Sequence, residues 1–244
     1  MQMIVSGHNY LKVLCAESNN DSVKNPPAIS PPITSFLDIP SLLSYSVYDE
    51  HAIIITRDGR GFVVGNGIKG RLRSKNKNSI FEHITQLSIQ DSEGNECIFL
   101  SAVCGTWYSL FLLQSNPTDD TFKIAFTYYN ASNDTPVFIN TGERNPIALY
   151  GGHTTAAVIC SDGSVIILTE GMLNTPYLTP PILILPRNEK AISVGCMEES
   201  FIVLSDAGRV YKYDIPLDMM INLIKFQKSK LNKSNSDENE TEDS

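Results

Sequence analysis

The chain has little of what most catalytic, metal-binding or membrane-bound architectures need. Its 244 residues include one tryptophan, four histidines and five cysteines. The cysteines (Cys15, Cys97, Cys104, Cys160, Cys196) are odd in number and form no C-x-x-C pair, which argues against a disulfide framework or a zinc ribbon. Most lie inside or beside apolar strand-like runs, where a free thiol serves as a small hydrophobe. His8, His51, His83 and His153 are far apart and lack metal-ligand spacing, so neither a metal nor a cofactor is expected. No G-x-S-x-G elbow, P-loop or kinase signature is present, and no catalytic residue is nominated. No apolar run approaches the roughly 18–20 residues of a membrane span. The segment Met1–Ser6 has no basic stretch followed by a long apolar one, so the expected location is cytoplasmic, with the nucleus as the alternative. A net charge of −8 speaks against a general nucleic-acid binder, whose phosphate contacts need a basic surface.

What is present fits a globular β protein: 42% apolar and 19% charged residues, with 15 Gly and 13 Pro, which disfavour a helical bundle. Three windows resemble one another: 46–64, 150–168 and 194–211. In each, a β-branched run leads to a turn at Asp58-Gly59, Asp162-Gly163 or Asp206 to Gly208, and a second apolar run comes after it. Eleven positions separate Val47, Gly151 or Gly195 from the turn aspartate. A weaker copy runs from Ala102 to Leu113, with a polar stretch from Gln114 to Thr121 in place of the turn. Taking Val47, Gly105, Gly151 and Gly195 as equivalent gives steps of 58, 46 and 44 residues, the spacing of propeller blades. Asp-Gly between β-branched runs predicts hairpins. The near-continuous run Ile53-Ile54-Ile55 predicts a strand buried on both faces, as between stacked blades.

The expected organisation is a propeller-like repeat domain over 1–215, with repeat windows near 4–18, 43–77, 99–128, 146–170 and 191–213. A short helix over 216–231 and a disordered acidic tail over 232–244 complete the expectation.

The hairpin followed by a glycine-rich segment resembles the repeat of the regulator of chromosome condensation family. Gly65-Asn66-Gly67-Ile68-Lys69-Gly70-Arg71-Leu72-Arg73 keeps the outer glycines and the leucine of that repeat's tail. Gly67, Arg71 and Arg73 stand where the family pattern has Asn, Gln and Gly. Gly7 to Cys15 keeps the Gly, Asn and Leu, and Gly152-His153 keeps the repeat's Gly-His step. The resemblance covers about residues 4–213 and implies an all-β fold, an incomplete β-propeller of four to five blade segments. It also implies loops that choose protein partners, and, from the family's founding activity, guanine-nucleotide exchange on a Ran-type small GTPase as the alternative function. No residue of this chain maps onto that activity.

Several motifs compete with blander readings. Gly65 to Gly70 is a literal G-x-G-x-x-G, but the adjoining residues Arg71 to Lys77 have no apolar helical face, and the stretch before Gly65 reads as a hairpin rather than a parallel βαβ strand. Arg71, Arg73, Lys75 and Lys77 form the densest positive charge. They read first as a solvated loop and second as a candidate partner contact. Trp107-Tyr108 reads first as core and second as an aromatic anchor for a partner. Asp58, Gly59, Asp162, Gly163, Asp206 and Gly208 are assigned to turns, and His153 to packing and hydrogen bonding. The leading function is a non-catalytic protein–protein interaction module, its inserts Arg71–Lys77, Asn116–Thr121 and Asn130–Thr135 setting partner choice. Self-association that closes the propeller, and a fragment without an independent role, are the other readings.

Overall fold

The computed structural model describes residues 42–48, 51–66, 80–106, 108–118, 120–128, 137–169 and 180–215. The window near 4–18, the helix expected over 216–231 and the tail over 232–244 lie outside these residues. Apart from a single 3-10 turn at Pro186–Asn188, the regular structure among the described residues is all strand. No described helix is long and apolar enough to cross a membrane.

The strands form four antiparallel meanders in chain order. Sheet 1 is β1 (Leu42–Tyr48), β2 (His51–Thr56), β3 (Gly61–Asn66) and β4 (Ile80–Leu87). Sheet 2 is β5 (Ile98–Cys104), β6 (Tyr108–Gln114), β7 (Phe122–Tyr128) and β8 (Val137–Ile139). Sheet 3 is β9 (Pro146–Gly151), β10 (Thr155–Cys160), β11 (Val165–Thr169) and β12 (Ile182–Leu183). Sheet 4 is β13 (Ala191–Cys196), β14 (Ser200–Ser205) and β15 (Val210–Asp214). Each sheet packs face to face on the next, and three apolar cores fill the seams between them.

Period-two alternation explains the near-continuous apolar strands. Along β10, Ala156, Val158 and Cys160 enter the core shared with sheet 2, while Ala157 and Ile159 enter the core shared with sheet 4. In β2, Ile53 and Ile55 face sheet 2, so the run that predicted two-sided burial is buried throughout. β3 is an inner antiparallel strand of sheet 1, which removes the parallel βαβ setting that a dinucleotide fingerprint at Gly65 requires.

The three glycine turns are of one type. Gly59 N–H donates to Thr56 O, Gly163 to Cys160 O and Gly208 to Ser205 O, and each hairpin closes one residue later (Thr56 N–H to Arg60 O and its counterparts). These are three-residue loops with the glycine at positive φ (80°, 84° and 74°), a bulge that L side chains resist.

This register corrects two equivalences drawn from spacing. Gly208, not Ala207, matches Gly59 and Gly163, so Asp206 sits one place earlier than Asp58 and Asp162. Its carboxylate instead accepts the Lys190 N–H at 3.1 Å, tying the start of its own sheet. On the first strands, ladder pairing aligns Val47 with Cys104, Gly151 and Cys196, so Gly105 and Gly195 are each displaced by one.

The pairing also shows a repeated bulge. The register of every first strand slips at the same place, leaving Leu43, Leu100, Ile147 and Ile192 as the extra residues.

Candidate interaction surface

Two sets of hydrogen bonds lock each sheet to its successor, one at each end of the strands. At the turn end, the carbonyl of Gly59 accepts the Phe99 N–H at 2.9 Å, and the carbonyl of Gly163 accepts the Ala191 N–H at 3.0 Å. A Cβ on Gly59 would collide with the Ile98 side chain, and one on Gly163 would meet Lys190 Cβ at 2.5 Å. Sheet 2 has no such glycine turn. There Asn145 does the tying: its Oδ1 accepts the Phe122 N–H at 3.0 Å and its Nδ2 donates to Asp120 O at 2.8 Å.

At the opposite end, the first residue of the second strand in sheets 1, 2 and 3 reaches forward. His51 Nε2 shares a hydrogen bond with Ser109 Oγ at 3.1 Å. Tyr108 OH donates toward Thr155 O (2.7 Å) and Gly152 O (3.0 Å). Thr155 Oγ1 donates to Met197 O at 2.8 Å. Around this row, Cys104 N–H donates to Ser46 Oγ, and His153 Nδ1 lies 2.8 Å from both Tyr48 OH and Thr106 Oγ1. His153 thus joins sheet 3 to sheets 1 and 2, the packing and hydrogen-bonding role its Gly-His step predicts.

These placements sort the expected site residues. Tyr108, a candidate partner contact, is 1% exposed and its hydroxyl is held by two backbone carbonyls of sheet 3, so it is a seam residue that no partner can reach. Burial raises its phenol well above the ordinary range. Trp107 and Arg71, Arg73, Lys75 and Lys77 lie outside the described residues, as do the inserts Arg71–Lys77 and Asn130–Thr135. Of the third insert, Asn116 caps its own loop by accepting the Thr118 N–H at 3.1 Å. Asp58 and Asp162 hold their turns: Asp58 accepts from Thr56 Oγ1 and Arg60, and Asp162 from the Ser164 N–H and hydroxyl. The seam roles of His51 and Thr155 have no sequence signal, because His, Tyr and Thr share one structural position.

Burial pushes the Cys104 and Cys196 thiols up to about 12 and raises Cys97 and Cys160, so all four are poor nucleophiles. His51 and Ser109 have the contact of a base and a nucleophile, but both are fully buried between sheets 1 and 2, where no substrate can enter. Asp91 is held at about 2: burial opposes its ionisation, but the Asn95 and Glu93 N–H groups, Ser115 and Lys123 outweigh it. Among the described residues, no group of three or more His, Cys, Asp or Glu is placed to hold a metal.

The exposed apolar residues lie elsewhere. Leu43, Ile147 and Ile192, at equivalent bulges on the first strands, are about half exposed, and Met197 is similarly open beside Cys196. First strands of successive sheets pack on one another, so the bulges form a row along one edge of the stack.

Blade-like meanders stacked in chain order, clasped at both strand ends and repeated in register, define a β-propeller arc. The chain is similar in structure to human WBSCR16, with a TM-score of 0.58 at 18% identity over 76% of this chain and 51% of that one. It is also similar to the structure of Prp20p from Saccharomyces cerevisiae, described with its binding to Gsp1p and histones (TM-score 0.53, 14% identity, 71% of this chain and 44% of that one). The same holds for the structure of Kap60 bound to yeast RCC1 (Prp20), at a TM-score of 0.52 and 14% identity, over 71% of this chain and 43% of that one. The chain therefore spans about half the length of these proteins. The sequence matches no protein-family model, and no curated protein matches it significantly.

Proposed function

We propose that this chain is a non-catalytic protein–protein interaction module. The observation that carries the reading is the division of labour among its side chains. Groups able to do chemistry, such as His51, Ser109, Tyr108 and the buried thiols, are committed to the seams, whereas Leu43, Ile147 and Ile192, three of the four first-strand bulge residues, stay open to solvent. An aliphatic row on a rigid, clasped scaffold suits a protein surface better than a small polar substrate. A cytoplasmic location suits the four free thiols among the described residues.

A second reading, exchange activity on a small GTPase, is favoured by the likeness to Prp20p, whose description includes Gsp1p. One experiment separates the two. The purified chain and its Ile147→Glu/Ile192→Glu variant are used to capture proteins from lysate, with excess GDP or with EDTA. Proteins retained regardless of nucleotide and lost with the variant support the interaction module. A small GTPase retained only under EDTA overturns it in favour of exchange.

A further inference from the structure

The loop between the first and second strands recurs in sheets 2, 3 and 4, closed by the same hydrogen bond. The N–H of Gly105, Gly152 and Met197 donates to the carbonyl of Tyr108, Thr155 and Ser200 respectively. In sheets 2 and 3 this position has no room for a side chain. A Cβ on Gly105 would run into the Tyr108 ring, and one on Gly152 would lie 2.8 Å from Cys196 O. In sheet 4 the same position carries a methionine whose surface is 50% exposed.

The backbone and the side chain of Met197 serve different ends. Its carbonyl accepts the Thr155 hydroxyl at 2.8 Å and so belongs to the lock between sheets 3 and 4. Its thioether sulfur lies 3.6 Å from the Ser200 hydroxyl, which donates to it within the loop. Ser200 stands at the position from which His51, Tyr108 and Thr155 reach forward, and it is buried, so its hydroxyl is a fixed donor beside an open side chain. The other sulfurs among the described residues are withdrawn from solvent. Cys97, Cys104 and Cys160 are buried, and Cys196 packs against the core between sheets 3 and 4.

We propose that Met197 is a site of reversible oxidation, with a peroxide as the oxidant. Its sulfur attacks one oxygen of the peroxide: an S–O bond forms as the O–O bond breaks, and the sulfur gives up an electron pair. The proton of the transferred oxygen passes to the departing one, which leaves as water when the oxidant is hydrogen peroxide. The sulfoxide turns a flexible apolar side chain into a polar one. The Ser200 hydroxyl, already donating to the sulfur, is the donor at hand for the new oxygen, a stronger acceptor than the thioether it replaces. Because the contact with sheet 3 is made by the Met197 carbonyl, the oxidation changes the surface of the loop and leaves the seam closed. A thiol-dependent sulfoxide reductase reverses it on the folded chain: the thiols are oxidised to a disulfide and the oxygen leaves as water.

The test exposes the full chain to hydrogen peroxide at neutral pH, native and unfolded in urea, and follows the added oxygen by peptide mass spectrometry. Fragment spectra separate Met197 from the adjoining Cys196, and Met197→Leu serves as the unoxidisable control. The expected result is one oxygen on Met197, gained by the native chain within about threefold of the rate in urea, as a half-exposed side chain implies. Hydrogen-exchange protection of Thr155–Thr169 should be unchanged by the oxidation. Methionine sulfoxide reductases for both epimers, with dithiothreitol, should remove the oxygen from the folded chain. A native rate at least an order of magnitude below the unfolded one, oxygen on Cys196 in place of Met197, faster exchange across Thr155–Thr169, or a sulfoxide reduced only in urea would each overturn the proposal.

Discussion

Sheets 3 and 4 are built from the same repeat, with the same turn, the same bulge and the same register, yet their side chains behave differently. β11, Val-Ile-Ile-Leu-Thr, is buried at every position, whereas β15, Val-Tyr-Lys-Tyr-Asp, alternates between exposed and half-buried. Sheet 3 is covered on both faces; sheet 4 is covered on one, where Tyr211 and Tyr213 pack toward sheet 3. The difference shows that a blade's strand pattern reports its neighbours rather than its own fold. Continuous apolar strands mark two seams, and alternating ones mark a single seam.

The largest effect is expected from one substitution made at equivalent valines of the two sheets. Val165 is 0% exposed and Val210 is 67% exposed. Val165→Asp places an unpaired carboxylate in a seam and is expected to cost about 4 kcal/mol or to prevent folding, while Val210→Asp stays within about 0.5 kcal/mol of the wild-type protomer. Urea unfolding of dilute protein checks both. Equal losses at the two sites would show that sheet 4 is covered after all.

The turn glycines extend the contrast. Gly163→Ala suffers both its positive φ and a collision with Lys190, for an expected loss of about 2–3 kcal/mol; Gly208→Ala suffers only the backbone cost, about 1 kcal/mol. Thermal melts of the pair should keep that order.

Next in size is Tyr108→Phe, which keeps the buried ring but leaves the Thr155 and Gly152 carbonyls short of a donor between sheets 2 and 3. The expected loss is about 1–2 kcal/mol in chemical denaturation. No change would mean that the hydroxyl is not part of the lock.

The smallest effect concerns acid. Asp91 titrates at about 2 when folded, below the ordinary carboxylate range, so its contribution is complete above pH ~4 and is lost as the pH falls toward 2. Asp91→Asn should flatten that part of the stability profile.

Much of this fold is legible in the chain because its signals are local. Asp58-Gly59 and Asp162-Gly163 predict hairpins without tertiary information, and Ile53-Ile54-Ile55 predicts burial on two faces. What is hidden depends on pairing across space. β8 and β12 have three and two residues, too short to carry a period, so the fourth strands of sheets 2 and 3 escape a pattern search. Gly195 is displaced by one because Asp206, from which its spacing is counted, stands one place earlier in its turn than Asp58 and Asp162, and Gly105 because sheet 2 has no such turn to fix the count. Tyr108 illustrates the limit for the site: an aromatic at a strand start fits a surface anchor and a seam lock equally well. Only its hydrogen bonds to Thr155 and Gly152 decide between them.

If sheet 4 differs from sheet 3 only in lacking a cover, amide hydrogen exchange at two protein concentrations should separate them. Peptides spanning Thr155–Thr169 should be strongly protected at both concentrations. Peptides spanning Ser200–Asp214 should exchange faster at both concentrations, because one face of their sheet is open. Equal protection of the two regions would contradict the difference in cover.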